Sequence, residues 1–398
     1  MTDFLSEAQS LFEYTQSLRR DFHMHPELGF QEVRTAGIVA KELASLGLEI
    51  TTGIAETGVM AVISGTKSGP VVLVRADMDA LPIVEETGAP YESQNPGVMH
   101  ACGHDGHTAV LLTVARLLHA HEDELAGTVK LIFQPAEEGM GGAEKMIEAG
   151  ILENPRPDVT LALHFWNERP VGWFGIADGP AMAGAEIFKI KVIGKGGHGA
   201  IPHLAADPIL AAAQIVSALQ GIVSRNVPPL QTAVVSVCTI HGGETFNVIP
   251  PTVELTGTIR TFEAQVRQTV LKRFAETVNA AAEAMGCRAE IDMQRLTPAT
   301  VNDPGAAARV QAVARRLFAT KDVDPANYIT MGSEDFAFIL EKVPGCFFFV
   351  GSANPEKGLD AAHHHPKFDI DETALPRAAA LMTAAVMDFL SSEKDLAT

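Results

Sequence analysis

Cysteine and basic residues are scarce in this sequence of 398 residues, and each shortage excludes a class of protein. The four cysteines lie far apart without a C-x-x-C pair, which excludes a disulfide framework and is typical of a reducing compartment. Thirty lysines and arginines face 49 aspartates and glutamates, and the resulting formal charge of −19 repels nucleic acids and anionic membranes. We therefore expect neither as a partner.

Long apolar runs are also missing. No run approaches the roughly 18 residues that suggest a membrane-spanning helix. The first residues, MTDFLSEAQS, lack the basic and apolar regions of a signal peptide, so we expect a cytoplasmic protein. With 46% hydrophobic and 20% charged residues, the composition is that of a globular protein whose length favours two domains.

Several short apolar runs end in chemically capable residues: VVLVRAD at 71–77, VKLIFQPAEE at 129–138 and VTLALHFW at 159–166. Continuous apolar runs of this length are typical of strands in a mostly parallel sheet that is covered by helices. Ligands of such sheets bind beyond the carboxyl ends of the strands. The polar residues at these ends are therefore predicted to converge on one cleft: Asp77, Glu137, Glu138 and His164.

The pattern changes between residues 184 and 297, where the segments follow the order β-α-β-β-α-β. This order is the ferredoxin-like arrangement. The helix-then-strand pattern resumes after residue 297. We predict an α/β catalytic domain formed by residues 1–183 and 298–398, with a mostly parallel sheet flanked by helices, and an inserted ferredoxin-like α+β domain formed by residues 184–297.

Metal-binding residue types occur in four separate segments of the predicted catalytic domain. Zinc and similar ions bind cysteine thiolates, histidine nitrogens and carboxylate oxygens. The candidate donors are Cys102, His104, Glu137, Glu138, His164 and the HHHP run at 363–366. Each residue has an ordinary structural explanation when taken alone. Four separate segments that each offer metal-binding residue types near predicted strand ends together indicate a metal site.

The neighbouring Glu137 and Glu138 are expected to have different roles, because adjacent side chains in an extended turn cannot both point at one atom. One carboxylate can bind metal while the other acts as a general base on the attacking water. This division of labour is that of metal-assisted hydrolysis.

Seven motifs, in the same order, resemble the signatures of the M20 metallopeptidase family: RADMDALP, MHACGHDGHT, FQPAEEG, GKGGHGAIPH, FNVIP, GTIRTF and GSEDF. The sequence is most similar to the amidohydrolase branch, which includes hippurate hydrolases, N-acyl-amino-acid amidohydrolases and plant auxin-conjugate hydrolases. The plant branch fits less well, because the terminal EKDLAT does not match an endoplasmic-reticulum retention signal.

The resemblance implies two divalent metal ions that share the Cys102 thiolate. His104 and His164 complete the ligands of one ion, and Glu138 and His364 complete those of the other. The thiolate favours zinc, with manganese, cobalt or nickel as alternatives.

The same resemblance assigns roles to residues around the ions. Glu137 becomes the general base, and Asp77 orients a metal-bound histidine. The family's Leu-His-x-Pro motif matches 363–366 with His363 in the leucine position, which indicates His364 rather than His365 as the ligand. The remaining histidines of MHACGHDGHT are secondary candidates, expected to form hydrogen bonds or pack: His100 and His107.

Three residues of the inserted domain are candidates for substrate contacts. Arg260 offers a planar fork for a carboxylate, and Asn247 can donate from a neighbouring loop. By resemblance, His198 donates to the tetrahedral intermediate across a dimer interface when a lid closes. We therefore expect a homodimer or dimer-based tetramer, with the inserted domain as lid and dimerisation domain.

These inferences predict hydrolysis of small N-acyl-L-amino acids of the N-acetyl or N-benzoyl type. A dipeptidase or an N-acetyl-diaminopimelate-type deacetylase of the same family is the alternative. A nucleotide-dependent oxidoreductase is more remote: Gly194, Gly196 and Gly199 form G-x-G-x-x-G, but no acidic residue follows between Pro208 and Gly243 to bind a ribose. A non-catalytic metal carrier would not need a base such as Glu137.

Overall fold

A computed structural model describes residues 3–324 and 328–391, within which the chain separates into two compact units. The first unit is formed by Met1–Ala181, Val301–Ile329 and Asp335–Thr398, and the second by Met182–Thr300 and Thr330–Glu334. Parts of the predicted catalytic domain lie outside the described residues, namely residues 1–2, 325–327 and 392–398 with the terminal EKDLAT.

The described helices, in chain order, are α1 (Phe4–Ser10), α2 (Phe12–Met24), α3 (Val33–Ser45), α4 (His104–Ala120), α5 (Gly142–Glu148), α6 (Pro208–Asn226), α7 (Ala264–Ala284), α8 (Pro304–Leu317), α9 (Ala337–Leu340) and α10 (Leu375–Leu390). The described strands are β1 (Glu49–Ile54), β2 (Gly58–Ser64), β3 (Lys67–Asp77), β4 (Ala126–Gln134), β5 (Val159–Pro170), β6 (Phe174–Gly175), β7 (Pro180–Met182), β8 (Gly184–Ile193), β9 (Gly197–His198), β10 (Ala233–His241), β11 (Val248–Ile249), β12 (Thr252–Thr261), β13 (Arg288–Thr297), β14 (Thr300–Val301), β15 (Val323–Asp324) and β16 (Gly345–Ala353).

The main sheet of the first unit has the described strand order β1-β2-β4-β3-β5-β16-β6-β15. Its central strands β4, β3, β5 and β16 are parallel, while β1 and β2 pair antiparallel at one side. The central strands are buried on both faces, as their continuous apolar sequences require. The predicted fold class, a mostly parallel sheet flanked by helices, is confirmed.

Helices α4 and α10 lie in the core of the first unit, and nearly every residue of each is buried. By length and composition alone, two stretches of the described chain could cross a membrane, Pro208–Asn226 and Glu372–Leu390. The second stretch is 83% buried inside the protein, which is the pattern of a core helix.

The second unit, all of whose residues are described, contains an antiparallel sheet with the order β10-β12-β8-β13. Strand β8 alternates buried and exposed positions, and its buried residues, such as Phe188, pack under α6 and α7. Helix α6 begins after Asp207, whose carboxylate accepts the backbone N–H of Ile209 at 2.8 Å. The chain order β8-α6-β10-β12-α7-β13 with this sheet order is the ferredoxin-like topology.

Candidate metal centre

The carboxyl ends of the central strands bring chemically capable residues together. Strand β3 ends at Asp77, β4 is followed by Glu137 and Glu138, and β5 carries His164. Because these strands are parallel neighbours, their carboxyl ends meet at one edge of the sheet. Helix α4 begins at the same place with His104.

Two clusters of donor atoms lie at this edge, and they share the Cys102 sulfur. One contains Cys102, His104 and His164, and the other contains Cys102, Glu138 and His364. Within each cluster the donor atoms lie within 4.8 Å of one another. The structure thus brings together the five residues that the sequence analysis assigned to metal binding, in the same two groups.

Both histidines of the first cluster present a ring nitrogen toward it. The Nδ1 atom of His104 lies 2.9 Å from the Asp79 carbonyl oxygen, and that of His164 lies 2.6 Å from the Phe165 carbonyl oxygen. A carbonyl accepts only, so each Nδ1 carries a proton, and in the neutral ring each Nε2 offers a lone pair. Burial lowers the pKa of His104, but Asp77 and Cys102 outweigh it and raise this pKa well above the ordinary value, so a metal at its Nε2 would displace a proton. The Nε2 atom of His104 is buried without a hydrogen-bond partner, and that of His164 lies 3.5 Å from Cys102 Sγ.

The electrostatics of this cluster fit a divalent cation. Burial, followed by the neighbouring His107 and His363, holds the pKa of His164 well below its usual value and keeps the imidazole neutral. Burial and the Glu138 carboxylate raise the pKa of the Cys102 thiol. A cation at this position would reverse that second effect by stabilising the thiolate. Sulfur, nitrogen and carboxylate donors together are a typical zinc donor set.

Two aspartates of RADMDALP support the histidines in different ways. Asp79 accepts from His104 Nδ1 and, through its other carboxylate oxygen, from the Glu138 backbone N–H at 3.0 Å. Asp77 instead lies 2.6 Å from His107 Nδ1. Sequence reasoning selected Asp77 and missed Asp79, although the alternating spacing of the two aspartates could have indicated both.

His107 has no free ring nitrogen. Its Nε2 accepts the Phe165 backbone N–H at 2.9 Å, so its Nδ1–H donates to Asp77. This chain of contacts fixes the backbone next to His164. His100 is also buried, but neither of its ring nitrogens has a partner among the described residues. Neither residue belongs to the two clusters that share Cys102.

Glu137 lies beside the clusters, within 4.8 Å of donor atoms of His104 and Glu138. Its side chain is buried, and Oε1 accepts the Asp335 backbone N–H at 3.3 Å. The Asp335 carboxylate is itself held by Arg75 at 3.1 Å and by Gln134 at 2.7 Å. Glu137 therefore occupies a defined position next to the donors.

The three consecutive histidines have three different environments. His363 is half-buried, stacks on Trp166 with a centroid distance of 4.6 Å, and donates from Nε2 to the Phe165 carbonyl. His364 turns toward the cluster, with Nε2 3.2 Å from Glu138 Oε1. Its φ of +64° belongs to the left-handed region, which is uncommon for a non-glycine residue. His365 is exposed and accepts the Lys367 backbone N–H.

The predicted substrate-contact residues lie in the second unit. His198 is exposed on β9, and its Nδ1 accepts the Ala200 backbone N–H at 3.0 Å. Asn247 is exposed and accepts from Thr245 at 3.3 Å. Arg260 is half-buried on β12 and donates to Thr258 and to the Ile259 carbonyl. No described residue forms a carboxylate ion pair with Arg260, since Glu186 pairs with Arg267 instead.

The glycine-rich segment that suggested a dinucleotide site has a different structural role. Strand β8 before it belongs to an antiparallel sheet, and the next α-helix begins only at Pro208. A Cβ on Gly196 would lie 2.8 Å from the Ile249 carbonyl oxygen. The glycines therefore permit close backbone packing and do not form a phosphate loop at a helix N-terminus.

Comparison with known proteins gives matches along nearly the whole chain. YhaA of Bacillus subtilis (strain 168) is 45% identical over 379 residues, which are 95% of each chain. N-acetyl-L-cysteine deacetylase of the same organism is 42% identical over 95% of this chain and 88% of its own length. IAA-amino acid hydrolase ILR1-like 4 of Arabidopsis thaliana is 40% identical over 97% of this chain and 88% of its own length.

A solved structure and a family model agree with these relatives. The crystal structure of the Bacillus subtilis YXEP protein, a dinuclear metal binding peptidase from the M20 family, has a TM-score of 0.84 and 37% identity, covering 96% of this chain and 99% of that one. The model of peptidase family M20/M25/M40 matches residues 73–388, which contain every predicted site residue. The chain therefore belongs to the peptidase family M20/M25/M40.

Proposed function

We propose that this protein is a two-metal amidohydrolase that cleaves the amide bond of N-acyl-L-amino acids to a carboxylate and a free amino acid. The observation that carries the proposal is the pair of donor clusters sharing Cys102, with the buried Glu137 beside them. Relatives more than 35% identical over nearly the whole chain are named as an N-acetyl-L-cysteine deacetylase and an IAA-amino acid hydrolase, which supports this substrate class.

The donor set defines which residues would hold the two ions. Cys102, His104 and His164 would bind one, and Cys102, Glu138 and His364 the other. When bound, the ions would act as Lewis acids that polarise the amide carbonyl and acidify the attacking water. We favour zinc because of the thiolate, with manganese, cobalt or nickel as alternatives.

Glu137 acts as the general base in this proposal. Its carboxylate lies close to the donors without belonging to the clusters that share Cys102, so it can remove a proton from the attacking water. The Asp335 backbone N–H donates to Oε1 of this carboxylate and holds it beside the donors. The proton then passes from Glu137 to the departing amine nitrogen.

Arg260 and Asn247 bind the free carboxylate of the substrate. The half-buried guanidinium of Arg260 has no carboxylate partner among the described residues, which supports this role. Burial lowers the pKa of this guanidinium, but an arginine side chain stays protonated at neutral pH. A planar guanidinium can donate two parallel hydrogen bonds to a carboxylate.

His198 donates to the developing oxyanion of the tetrahedral intermediate. Because its Nδ1 accepts from the Ala200 N–H, the neutral ring carries its proton on Nε2, which is the donor this role requires. We propose that His198 acts on the metal centre of a second subunit when the second unit closes as a lid. This assignment implies a homodimer or a dimer-based tetramer. We propose that the enzyme works in the cytoplasm.

A substrate panel tests the proposal. Metal-free protein is prepared with a chelator, reconstituted with each of the four metals, and assayed on N-acetyl, N-benzoyl and indole-3-acetyl amino acids, N-acetyl-diaminopimelate and dipeptides. We expect no turnover without metal and release of amino acid from acyl amino acids with it. Selective turnover of dipeptides or of N-acetyl-diaminopimelate supports the alternative function. Full turnover by metal-free protein contradicts the proposal.

A further inference from the structure

Arg19 lies at the centre of a buried charged cluster outside the donor groups. It belongs to helix α2 and is fully buried. Each of its guanidinium nitrogens meets a different carboxylate: Nε lies 2.8 Å from Asp105, Nη2 2.6 Å from Asp369 and Nη1 3.3 Å from Glu372. A buried arginine with three charged acceptors uses the full planar fork of its side chain.

The carboxylates that Arg19 joins belong to the two segments that supply metal donors. Asp105 directly follows His104 in the first turn of α4. Asp369 follows His364 by five residues, on an irregular stretch between β16 and α10. Arg19 therefore connects the start of α4 to the stretch that carries His364.

The two segments depend on Arg19 to different degrees. Asp105 lies in a buried helix and has a second cationic partner in His23, whose Nδ1 is 2.7 Å away. Asp369 lies outside any helix or strand, and its other partners are neutral: the Tyr91 hydroxyl and the Ile370 backbone N–H, each at 2.8 Å. Without Arg19, the buried Asp369 carboxylate would lose its cationic partner, which is strongly unfavourable, and the contact that ties its stretch to α4 would be lost. The irregular stretch can then move away from α4, and His364 moves with it.

We propose that Arg19 is a positioning residue for the metal centre: it fixes the distance between the His364 stretch and the start of α4, and so sets the affinity of the Cys102–Glu138–His364 cluster for its ion. The proposal rests on the proposed two-metal function, since it needs an ion at that cluster. It assigns Arg19 no contact with substrate or metal.

Arg19→Lys is the main test, because lysine keeps the positive charge but has a single nitrogen that cannot hold three carboxylates in fixed geometry. Arg20 provides a matched control. It is adjacent in sequence and pairs with Glu372 at 2.6 Å, but its side chain is 40% exposed and its ion pairs include neither Asp105 nor Asp369. Asp369→Asn is a second variant that removes the charge on the other side of the same contact.

Co²⁺ binding to the metal-free full chain is measured by calorimetry and by the thiolate-to-cobalt absorption band. We expect the wild-type protein and Arg20→Lys each to bind two ions, and each dissociation constant to be the same in both proteins. In Arg19→Lys and Asp369→Asn, one dissociation constant should rise about 10- to 100-fold while the other is unchanged, the usual effect of losing a residue that orients a ligand. A purely structural role would lower the unfolding temperature without separating the two constants.

A double variant identifies which ion is affected. Adding Arg19→Lys to His364→Ala should cause no further loss, because the cluster is already broken, whereas adding it to His164→Ala should weaken the remaining ion. The proposal is overturned if Arg19→Lys weakens the binding of both ions equally, if it weakens neither, or if Arg20→Lys causes the same loss. It is also overturned if the wild-type chain binds no ion at the His364 cluster. Two-ion binding with this selectivity but without amide hydrolysis supports the role of Arg19 and contradicts the proposed function.

Discussion

Glu137 and Glu138 are adjacent in sequence but have different surroundings. The preceding Ala136 has a φ of +55°, in the left-handed region that non-glycine residues rarely adopt. Backbone strain of this kind is often found at functional sites. The Glu138 carboxylate lies beside His364, whereas that of Glu137 accepts from the Asp335 backbone. The two carboxylates therefore have different neighbours, as the proposed division of roles requires.

Replacing Glu137 with glutamine should separate catalysis from metal binding. The amide keeps the size of the side chain but cannot accept the proton, so we expect the turnover number to fall by a factor of about 10² to 10⁴. Metal content, measured by atomic emission, should stay at the wild-type level.

Glu138→Gln is the matched control, because it removes a carboxylate from the His364 cluster and not the base. It should weaken the binding of one ion. If Glu137→Gln loses metal and Glu138→Gln retains it, the two roles are reversed.

Arg260→Lys should distinguish substrates by their free carboxylate. Lysine keeps the charge but cannot form two parallel bonds, so kcat/KM for an acyl amino acid should fall by about 10-fold or more, a cost of at least about 1.4 kcal/mol. The matching acyl amino acid amide, which lacks the carboxylate, should be almost unaffected. Arg267→Lys, which alters the neighbouring ion pair with Glu186, is the control and should not discriminate. Equal losses on both substrates would assign Arg260 a structural role.

The proximity of the candidate donors was predictable from sequence, because buried strands mark where several of them meet and the family resemblance groups them. The residues that support the donors were harder to predict from sequence. Asp79 and Asp77 look equivalent in sequence, and only the direction of each side chain decides which one holds His104. Arg19 is separated from Asp369 by most of the chain, so their 2.6 Å contact follows from the tertiary structure and from no local pattern.

At the level of elements, a buried network links α2, α4 and the loop after β3. His23 on α2 lies between Asp105 of α4 at 2.7 Å and Glu85 of the loop at 3.1 Å. Glu85 also accepts the Ser93 backbone N–H at 2.8 Å, which closes the loop on itself. The network therefore holds a long irregular segment against the helical layer with charged groups that water does not reach.

This network predicts a pH dependence of stability. Burial and Arg19 lower the pKa of His23, but Asp105 and Glu85 outweigh them and raise it to about 9, above the ordinary 6.5. A group with a raised folded-state pKa stabilises fully below its unfolded pKa, and this contribution is lost as the pH rises through the folded value. We expect the free energy of unfolding to fall by about 3 kcal/mol between pH 6 and pH 9.5 from this group alone.

Urea unfolding of wild-type and His23→Gln protein at both pH values measures this effect. The difference between the two proteins should be large at pH 6 and shrink by pH 9.5. A difference that stays constant over this range would show that folding does not raise the pKa of His23.

The central elements of the fold followed from sequence because continuous apolar runs leave few alternatives. VVLVRAD, VKLIFQ and VTLALHFW all form strands of the main sheet, and CFFFVG joins it as part of β16. The antiparallel strands beside them were not predicted. Strand β1 is mostly exposed, so its sequence lacks the apolar signal that marks the central strands.

At the level of the whole molecule, the residues that carry the proposed function are divided between the two units. The metal donors and Glu137 belong to the first, and His198, Asn247 and Arg260 belong to the second. The role of the second unit as lid and dimerisation domain stays a prediction.

Mixing two inactive variants tests this prediction. In a dimer formed from one His198→Ala subunit and one Glu137→Gln subunit, one composite site would contain both Glu137 and His198, so activity should reappear after subunit exchange. The expected recovery is up to about a quarter of the wild-type activity, since half of the randomly paired dimers are mixed and each restores one of two sites. If exchange is verified by mass and no activity returns, His198 acts within its own chain or has no catalytic role.

The sharing of Cys102 by both donor clusters makes the centre vulnerable at a single sulfur. One alkylation or oxidation event would remove a ligand from both positions, so the two ions should be released together rather than one by one. Bound metal should protect this thiolate, whereas metal-free protein should lose its capacity for both ions after modification by iodoacetamide. The exposed Cys238 supplies an internal reference, because it should react at the same rate in either state. Such a centre would tolerate oxidants only for as long as it stays metallated.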